Sequence, residues 1–327
     1  MELPFDQYQR YRLIGELCRS LRADGGPLRV LDVGGRTGVL RAFLPDDRVE
    51  LVDVTPSAVE GLVLGTGERL PFLDDAFDVV VAADTLEHVP PALRRAFVRE
   101  CCRVAGRWAI LAGPYQHTRV VEAEELLQGF LRQKLGVEHQ YLNEHRSLGL
   151  PERDAVEGWC REAGAQDVHA IGHGNLDRWL GLLTLELYLD DTPALRPLAR
   201  RLFRFYSGML YPSDREGVVY RHAVVASLDG SLPPTADELF GAAELQVEAQ
   251  GPIAHVLTEL AAFDRERDVF QEQRERLEGE IARRDADLEG HEESLAVARA
   301  DLQGHRASLA ELEQDLAGHQ ASLLETE

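Results

Sequence analysis

The sequence has few cysteines, no long apolar run and a shortage of basic residues. Its four cysteines, Cys18, Cys101, Cys102 and Cys160, show no C-x-x-C spacing. The adjacent pair at 101 and 102 is unsuited to an ordinary disulfide, so we expect reduced thiols and a cytoplasmic location. No window approaches the roughly 18 uncharged apolar residues of a membrane helix, and the first residues lack the basic and apolar regions of a signal peptide. The sequence therefore predicts no transmembrane segment.

Acidic residues dominate the charge. The chain has 57 Asp and Glu against 35 Lys and Arg, and its formal net charge is −22. This charge repels phosphate backbones, so we expect no nucleic-acid partner. Arg200, Arg201 and Arg204 are the nearest approach to a basic patch, and such a cluster is more typical of a solvated helix face. At 327 residues and 44% hydrophobic composition, the chain is long enough for about two domains.

A glycine-rich turn follows the first predicted strand. Residues 28–40 read LRVLDVGGRTGVL, in which an apolar run is followed by Gly34, Gly35 and Gly38 and then by residues that can begin a helix. Such a turn lets a ligand lie against bare backbone, close to the N–H groups of a helix N-terminus. The glycine order lacks the G-x-G-x-x-G register of a dinucleotide dehydrogenase. The turn therefore predicts a nucleotide-type site of another kind.

Strand and helix patterns alternate up to about residue 230. A helix over 5–22 precedes the turn, and we expect another to begin at Thr55. The later strands are predicted at 49–54, 77–83, 108–112, 167–171 and 218–228. This alternation predicts one open α/β sheet with helices on both faces. A ligand should lie beyond the carboxyl ends of the strands, where Gly34, Asp53 and Asp84 converge.

The composition changes after residue 232. One heptad frame runs from Ile253 to the end, with Leu at every a position from Leu288 onward, and predicts a self-associating coiled coil. We divide the chain into a domain over 1–232 with a helical insert at about 175–211, a linker over 233–252 and a coiled coil over 253–327. A 14-residue repeat places His291, His305 and His319 at alternate d positions. A metal or pH-sensitive site is one interpretation, but we favour duplication of a tolerated polar residue.

The motifs around the turn resemble those of the class I S-adenosylmethionine (SAM) methyltransferases. VLDVGGRTG is similar to the family motif D-x-G-x-G-x-G, with Asp32, Gly34 and Gly38 in place and Arg36 where the middle glycine is usual. VELVDVTPSAV resembles the family's second strand, which ends on an acid that binds the ribose, here Asp53. The segment GTGERLPFLDDAFDVVVAADTLEHVPP is similar to a signature of the small-molecule branch, the methyltransferase type 11 group.

The resemblance covers roughly residues 5–230 and implies a Rossmann-like, seven-stranded, mostly parallel sheet. The implied strand order is 3-2-1-4-5-7-6, with the last strand antiparallel, and the implied cofactor is SAM. Thr66 and Gly67 replace the usual Asp-Ala beside the adenine, so that contact is expected from Glu68 or from backbone. For Asp32, a carboxylate that caps its own turn is the alternative. The implied cofactor-binding residues are Asp32, Gly34, Gly35, Gly38, Asp53, Val54, Glu68, Leu70, Asp84, Thr85 and, on the first helix, Arg12.

The methyl donor is already activated, so the protein chiefly holds the acceptor atom and the methyl group in line. A hydroxyl acceptor also needs a base, and His88 in Leu86-Glu87-His88 is the first candidate. In the family the same residue often only packs beside the methionine end of the cofactor. Asp84 could bind acceptor or cofactor, and His145 lies in a region where such enzymes build acceptor pockets. We predict no metal site.

A methyltransferase joined to a long coiled coil resembles bacterial enzymes that modify polysaccharide chains. We therefore predict an O-methyltransferase whose acceptor is a small molecule or glycan, most specifically a sugar hydroxyl. A glycosyltransferase partner or fused domain belongs to the same expectation. The alternative is a non-catalytic SAM-binding scaffold whose coiled coil organises a polysaccharide-assembly complex.

Overall fold

A seven-stranded sheet forms the centre of the first part of the chain. The computed structural model describes residues 3–22, 26–191, 195–240 and 250–324. The order across the sheet is β3-β2-β1-β4-β5-β7-β6, and β7 runs antiparallel to both neighbours. This confirms the Rossmann-like topology that the resemblance implied. The strands are β1 (Arg29–Val33), β2 (Arg48–Asp53), β3 (Leu62–Leu64), β4 (Phe77–Ala83), β5 (Ala105–Pro114), β6 (Asp167–Asn175) and β7 (Val219–Ser227).

Helices cover both faces of the sheet, as a buried parallel sheet requires. Residues of α2 and α5 form one hydrophobic cluster with the strands, and residues of α1 form a second on the opposite face. A third cluster joins α3, α4, α6 and α7 to Tyr220 of β7. The helices are α1 (Phe5–Ser20), α2 (Pro91–Val104), α3 (Thr118–Lys134), α4 (Gln140–Leu148), α5 (Arg153–Glu162), α6 (Leu176–Asp191), α7 (Arg196–Phe205), α8 (Ala236–Phe240) and α9 (Gln250–Leu324).

The segment after β2 differs from the prediction, because residues 54–61 form no helix. Thr55 donates its backbone N–H to Asp53 Oδ1 over 2.8 Å, and the Ser57 hydroxyl donates to the Arg36 carbonyl over 2.8 Å. Such bonds between side chains and backbone compete with helix formation. After the glycine turn, likewise, only a short 3₁₀ turn forms, at Val39–Ala42.

Two helical segments fall within the predicted linker over 233–252. Helix α8 lies inside that range, and its Ala236, Leu239 and Phe240 pack partly buried against the α1 side of the core. Helix α9 already begins at Gln250. Residues 241–249 of the predicted linker, and 192–194 of the helical insert, lie outside the described residues. The domain boundaries stay a prediction.

Contact clustering divides the chain into two compact units, Met1–Leu257 and Thr258–Glu327. Helix α9 runs through the predicted coiled-coil region, and its side chains over 271–316 are all exposed. The leucines at a positions 295 and 302 are 56% and 55% exposed. This confirms the helix, while the coiled coil stays a prediction. The His319 side chain lies outside those that the structure describes. None of the described helices is long and apolar enough to cross a membrane.

Candidate active site

A cavity of about 880 Å³ lies at the carboxyl ends of β1, β2 and β4. Gly34, Asp53 and Asp84 each follow one of these strands or end it, and all three line the cavity. Parallel strands meet there because their carboxyl ends share one edge of the sheet. The structure thus brings together the three residues that the sequence placed at this edge.

Glycine is required at two positions of the turn after β1. Gly34 has φ of +86°, its N–H donates to the Val52 carbonyl over 2.8 Å, and a Cβ there would overlap the Thr85 hydroxyl. A Cβ at Gly35 would lie 2.5 Å from Asp32 Oδ2. At Gly34 the turn therefore presents bare backbone to the cavity, which suits close approach of a nucleoside.

Asp32 is buried behind this turn, with 2% of its surface exposed. Burial raises the pKa of its carboxyl to about 7, and Oδ2 has no hydrogen-bond partner within the described part of the chain. The structure shows no hydrogen bond from the turn to this carboxyl, so it gives the capping alternative no support. Asp53 differs, because it lines the cavity and its Oδ1 accepts from the Thr55 N–H. Each carboxylate oxygen can accept more than one hydrogen bond, so Asp53 keeps acceptor sites for a ribose.

Arg36 stands where the resembling motif has its middle glycine, and its side chain extends to α4. Its guanidinium donates to the Tyr141 hydroxyl over 3.0 Å, and both side chains line the cavity. Its backbone N–H lies 3.4 Å from Asp53 Oδ2. The departure from the family motif therefore links the glycine turn to the helix on the other side of the cavity.

The predicted cofactor-binding residues separate into two groups. Gly34, Asp53, Val54, Glu68, Asp84 and Thr85 line the cavity, whereas Asp32, Gly35, Gly38 and Leu70 are not among its lining residues. Arg12 does not line it either, since its Nε donates to Glu16 over 2.7 Å, and this prediction is wrong. Two residues earlier on the helix, Arg10 takes the cavity-facing position together with Tyr11. Successive residues of a helix point about 100° apart, so a shift of two positions reverses the face.

Asp84 is held by arginines rather than poised as a base. Arg221 donates through Nε and Nη2 to its carboxylate over 2.8 and 2.6 Å, and Arg10 Nη1 lies 3.4 Å away. Burial alone would raise the pKa of Asp84, but the charges of Arg221 and Arg10 outweigh it and lower the pKa to about 2. A carboxylate this weakly basic accepts no proton near neutral pH. Asp84 is therefore unsuited to accept a proton, and its predicted role in binding the acceptor or the cofactor stays a prediction.

Sequence reasoning missed Arg221, a fully buried cation on β7. Besides Asp84, it donates to Asp6 Oδ1 over 2.7 Å and to Gln9 Oε1 over 2.5 Å. Its guanidinium also lies over the Tyr220 ring, 5.2 Å from the centroid. The only signal in the sequence was a charged residue within the apolar run VVYRHAVVAS. Charged residues are seldom fully buried without partners, so a buried Arg221 implied that partners exist. The strand pattern did not show which residues those partners are.

Two predicted histidines meet in the other part of the cavity. The rings of His88 and His145 are 4.9 Å apart, on a 3₁₀ turn at Leu86–His88 and on α4. His88 Nδ1 lies 2.8 Å from a Glu144 carboxylate oxygen, and His145 Nδ1 is hydrogen-bonded to Glu124 Oε1 over 2.8 Å. Burial lowers the pKa of His88. Burial also opposes charge on His145, but Glu124 outweighs this effect and raises its pKa.

Glu87 is the buried acid beside this pair. It is 1% exposed, burial raises its pKa to about 8, and neither carboxylate oxygen has a hydrogen-bond partner among the described residues. An unpaired buried carboxyl is costly, and such strongly perturbed groups in a cavity are typical of functional sites. Sequence reasoning named His88 and His145 separately as candidates for the acceptor side, but it did not single out Glu87 as the buried acid beside them.

Residues 31–111 match the family model described as a methyltransferase domain. A SAM-dependent methyltransferase from Thermotoga maritima is similar in structure, with 14% identity, coverage of 68% of this chain and 94% of that chain, and a TM-score of 0.42. Magnesium protoporphyrin IX methyltransferase from Synechocystis, with bound SAH, shows 12% identity, coverage of 69% and 89%, and a TM-score of 0.39. No curated protein matches the chain. The match over residues 31–111 is thus to a methyltransferase domain, and it supports SAM as the cofactor.

Proposed function

We propose that this SAM-dependent methyltransferase domain acts on a hydroxyl group of a sugar or glycan, and that the chain self-associates through α9. The observation that carries the proposal is that one cavity is lined both by the glycine turn and by the histidine pair, His88 and His145. One part of the cavity suits a nucleoside and the other offers proton acceptors. Methyl transfer to a hydroxyl needs the residues that bind the nucleoside and a proton acceptor within one cavity, so that donor and acceptor are held together.

The residues present fit the cofactor. The backbone around Gly34 would receive the nucleoside, and Asp53 would accept hydrogen bonds from the ribose hydroxyls. Thr66, Gly67 and Glu68 line the adjoining wall, where a Cβ at Gly67 would overlap the Phe97 ring. SAM supplies a methyl group on a positively charged sulfur, and the cavity wall contains the carboxylates of Asp53 and Asp84. These residues bind and orient the donor, while the acceptor is held from the opposite side.

An acceptor hydroxyl must lose a proton as its oxygen attacks the methyl carbon. His88 is our candidate for receiving that proton, since it lines the cavity and its Nε2 lies 4.0 Å from Glu87 Oε1. The C–S bond breaks as the C–O bond forms, and its electron pair remains on sulfur. His145 is the second candidate for receiving the proton, because Glu124 fixes its Nδ1 and its Nε2 has no such partner among the described residues.

Polar side chains at the cavity support a hydroxyl-rich acceptor. Gln7, Gln140, Tyr141 and Glu144 line it beside the histidines, and they supply both donors and acceptors of hydrogen bonds. We extend the proposal to a cytoplasmic enzyme that works with a glycosyltransferase partner or fused domain.

Calorimetry with SAM on the full chain tests cofactor binding. Asp53→Ala should abolish the heat of binding, while Asp46→Ala, on an exposed turn, should leave it unchanged. Transfer of a radiolabelled methyl group to a panel of saccharides then tests the acceptor class, and His88→Ala should bind SAM normally but transfer the label more slowly. If the wild-type chain does not bind SAM, the proposal that it is a SAM-dependent methyltransferase is refuted.

The alternative function is a SAM-binding scaffold without turnover, whose coiled coil organises a polysaccharide-assembly complex. The exposed leucine positions of α9 favour an assembly role for that helix. The buried Glu87 carboxylate and the His145 Nε2 atom, which lack hydrogen-bond partners among the described residues, favour catalysis, because a scaffold gains nothing from their desolvation. Normal SAM binding without label transfer to any acceptor class would favour the scaffold.

A further inference from the structure

Three ligand-type side chains converge in the acceptor part of the cavity. One carboxylate oxygen of Glu87 and one ring nitrogen each of His88 and His145 all lie within 4.8 Å of one another. Ligand atoms around a bound zinc ion are separated by about 3 to 3.5 Å, since each metal–ligand bond is about 2.0 to 2.2 Å long. The three ligand atoms are therefore at most about 1.3 to 1.8 Å farther apart than in a closed metal site.

Several polar atoms of these three residues lack hydrogen-bond partners among the described residues. Both carboxylate oxygens of Glu87 and the Nε2 atom of His145 are buried without a hydrogen bond in the described part of the chain. Leaving such atoms unpaired is unfavourable, and more so for a charged group. A cation would pair with all of them at once.

One of the histidines is also oriented as metal-binding histidines are. Nδ1 of His145 is hydrogen-bonded to Glu124, which in turn accepts from the Tyr220 hydroxyl over 2.8 Å. Histidine ligands commonly hold a carboxylate with one ring nitrogen and the metal with the other. Glu124 therefore fixes the His145 ring and leaves its Nε2 atom for the cluster. Nδ1 of His88 lies 2.8 Å from a Glu144 carboxylate oxygen but makes no hydrogen bond within the described part of the chain.

We propose that Glu87, His88 and His145 bind a divalent transition-metal ion in the acceptor part of the cavity. Two imidazoles and one carboxylate favour zinc, iron(II), cobalt(II) or manganese(II), whereas magnesium and calcium prefer all-oxygen sites. Three protein ligands leave coordination positions for another molecule, as in metal sites that bind substrates.

The consequence for catalysis rests on the proposed methyl transfer. A hydroxyl oxygen bound to the cation would have a lowered pKa and would be fixed in position, so the metal would replace His88 in activating the acceptor. The acceptor class would then be an alcohol that can ligate a metal through its hydroxyl oxygen. The prediction of a metal-free site came from the sequence, where Glu87 and His145 are far apart.

Cobalt(II) tests the site through its visible absorption, without SAM or acceptor. The full chain, freed of metal with a chelator and dialysed, is titrated with cobalt chloride. We expect ligand-field bands that saturate at one equivalent per chain. Glu87→Gln and His145→Gln should abolish saturation at one equivalent, and Glu124→Gln should weaken binding about 10- to 100-fold, the usual effect of removing a histidine's carboxylate partner.

Matched variants separate this site from the histidines of α9. His291→Asn with His305→Asn removes two exposed imidazoles and should leave the bands unchanged. Glu87→Gln breaks no hydrogen bond seen in the structure, so the variant should fold, and far-UV circular dichroism checks this. If Glu87→Gln unfolds, the cobalt titration of Glu124→Gln tests the metal site instead.

The proposal is overturned by an absence of saturable bands, by bands that persist in Glu87→Gln and His145→Gln, or by bands that disappear with the α9 variant. Loss of methyl transfer with intact cobalt binding would count against the proposed function alone. Methyl transfer that proceeds without any cobalt binding would count against the metal site alone.

Discussion

Asp84→Asn tests the buried charge network that closes one side of the cavity. The substitution removes a carboxylate that Arg221 and Arg10 contact and keeps its size. The arginines lower the pKa of Asp84 from 3.8 to about 2 against the effect of burial, and the side chain is 13% exposed. A shift of that size corresponds to about 2 kcal/mol of stability at neutral pH.

The same network makes the free energy of unfolding depend on pH. The folded-state pKa lies below the unfolded one, so the stabilisation is complete above about pH 5 and is lost as the pH falls through 4 toward 2. About half of it should remain at pH 3. The difference between wild type and Asp84→Asn should therefore shrink from about 2 to about 1 kcal/mol between pH 7 and pH 3.

Urea unfolding followed by tryptophan fluorescence measures this difference. Trp108, Trp159 and Trp179, the chain's three tryptophans, all lie in the first unit, so the signal reports that unit. Asp177→Asn is the matched control, since its side chain is 79% exposed in an ion pair on the surface, and its effect should stay below about 0.5 kcal/mol. The reasoning is refuted if Asp84→Asn matches that control at pH 7, or if its effect is the same at both pH values.

Two further predictions concern the turn and the helix. Gly34→Ala forces a side chain into φ of +86° and against a neighbouring hydroxyl, so it should cost about 1 to 3 kcal/mol or more and weaken SAM binding, as urea unfolding and calorimetry would show. For α9, Leu295→Lys with Leu302→Lys places charges at two a positions and should reduce the mass measured by light scattering. Ala300→Lys with Ala307→Lys adds the same charges at f positions and should leave the mass unchanged. A wild-type chain that is monomeric would refute self-association.

Local patterns predicted much of the sheet. The alternation of apolar runs located β2, β4 and β5 closely, because strands buried on both faces read as continuous apolar segments. The same reasoning failed after Asp53, where Pro56 suggested a helix start but Asp53 and Ser57 bond to the backbone instead. It also expected Arg12 to face the cofactor site, whereas Arg10 lines the cavity, since the pattern gave the helix but not its rotation about its axis.

The sequence by itself determined the methyltransferase-type turn, the strand order implied by its motifs, and the long heptad helix. These are properties of neighbouring residues, because glycines at fixed offsets and apolar periodicity act over a few turns of chain. Only the tertiary structure decided that Arg221 neutralises Asp84, and that α4 carries His145 to His88 and Glu87. Such contacts depend on how distant elements pack, and burial gives these charges an influence that their sequence spacing does not reveal.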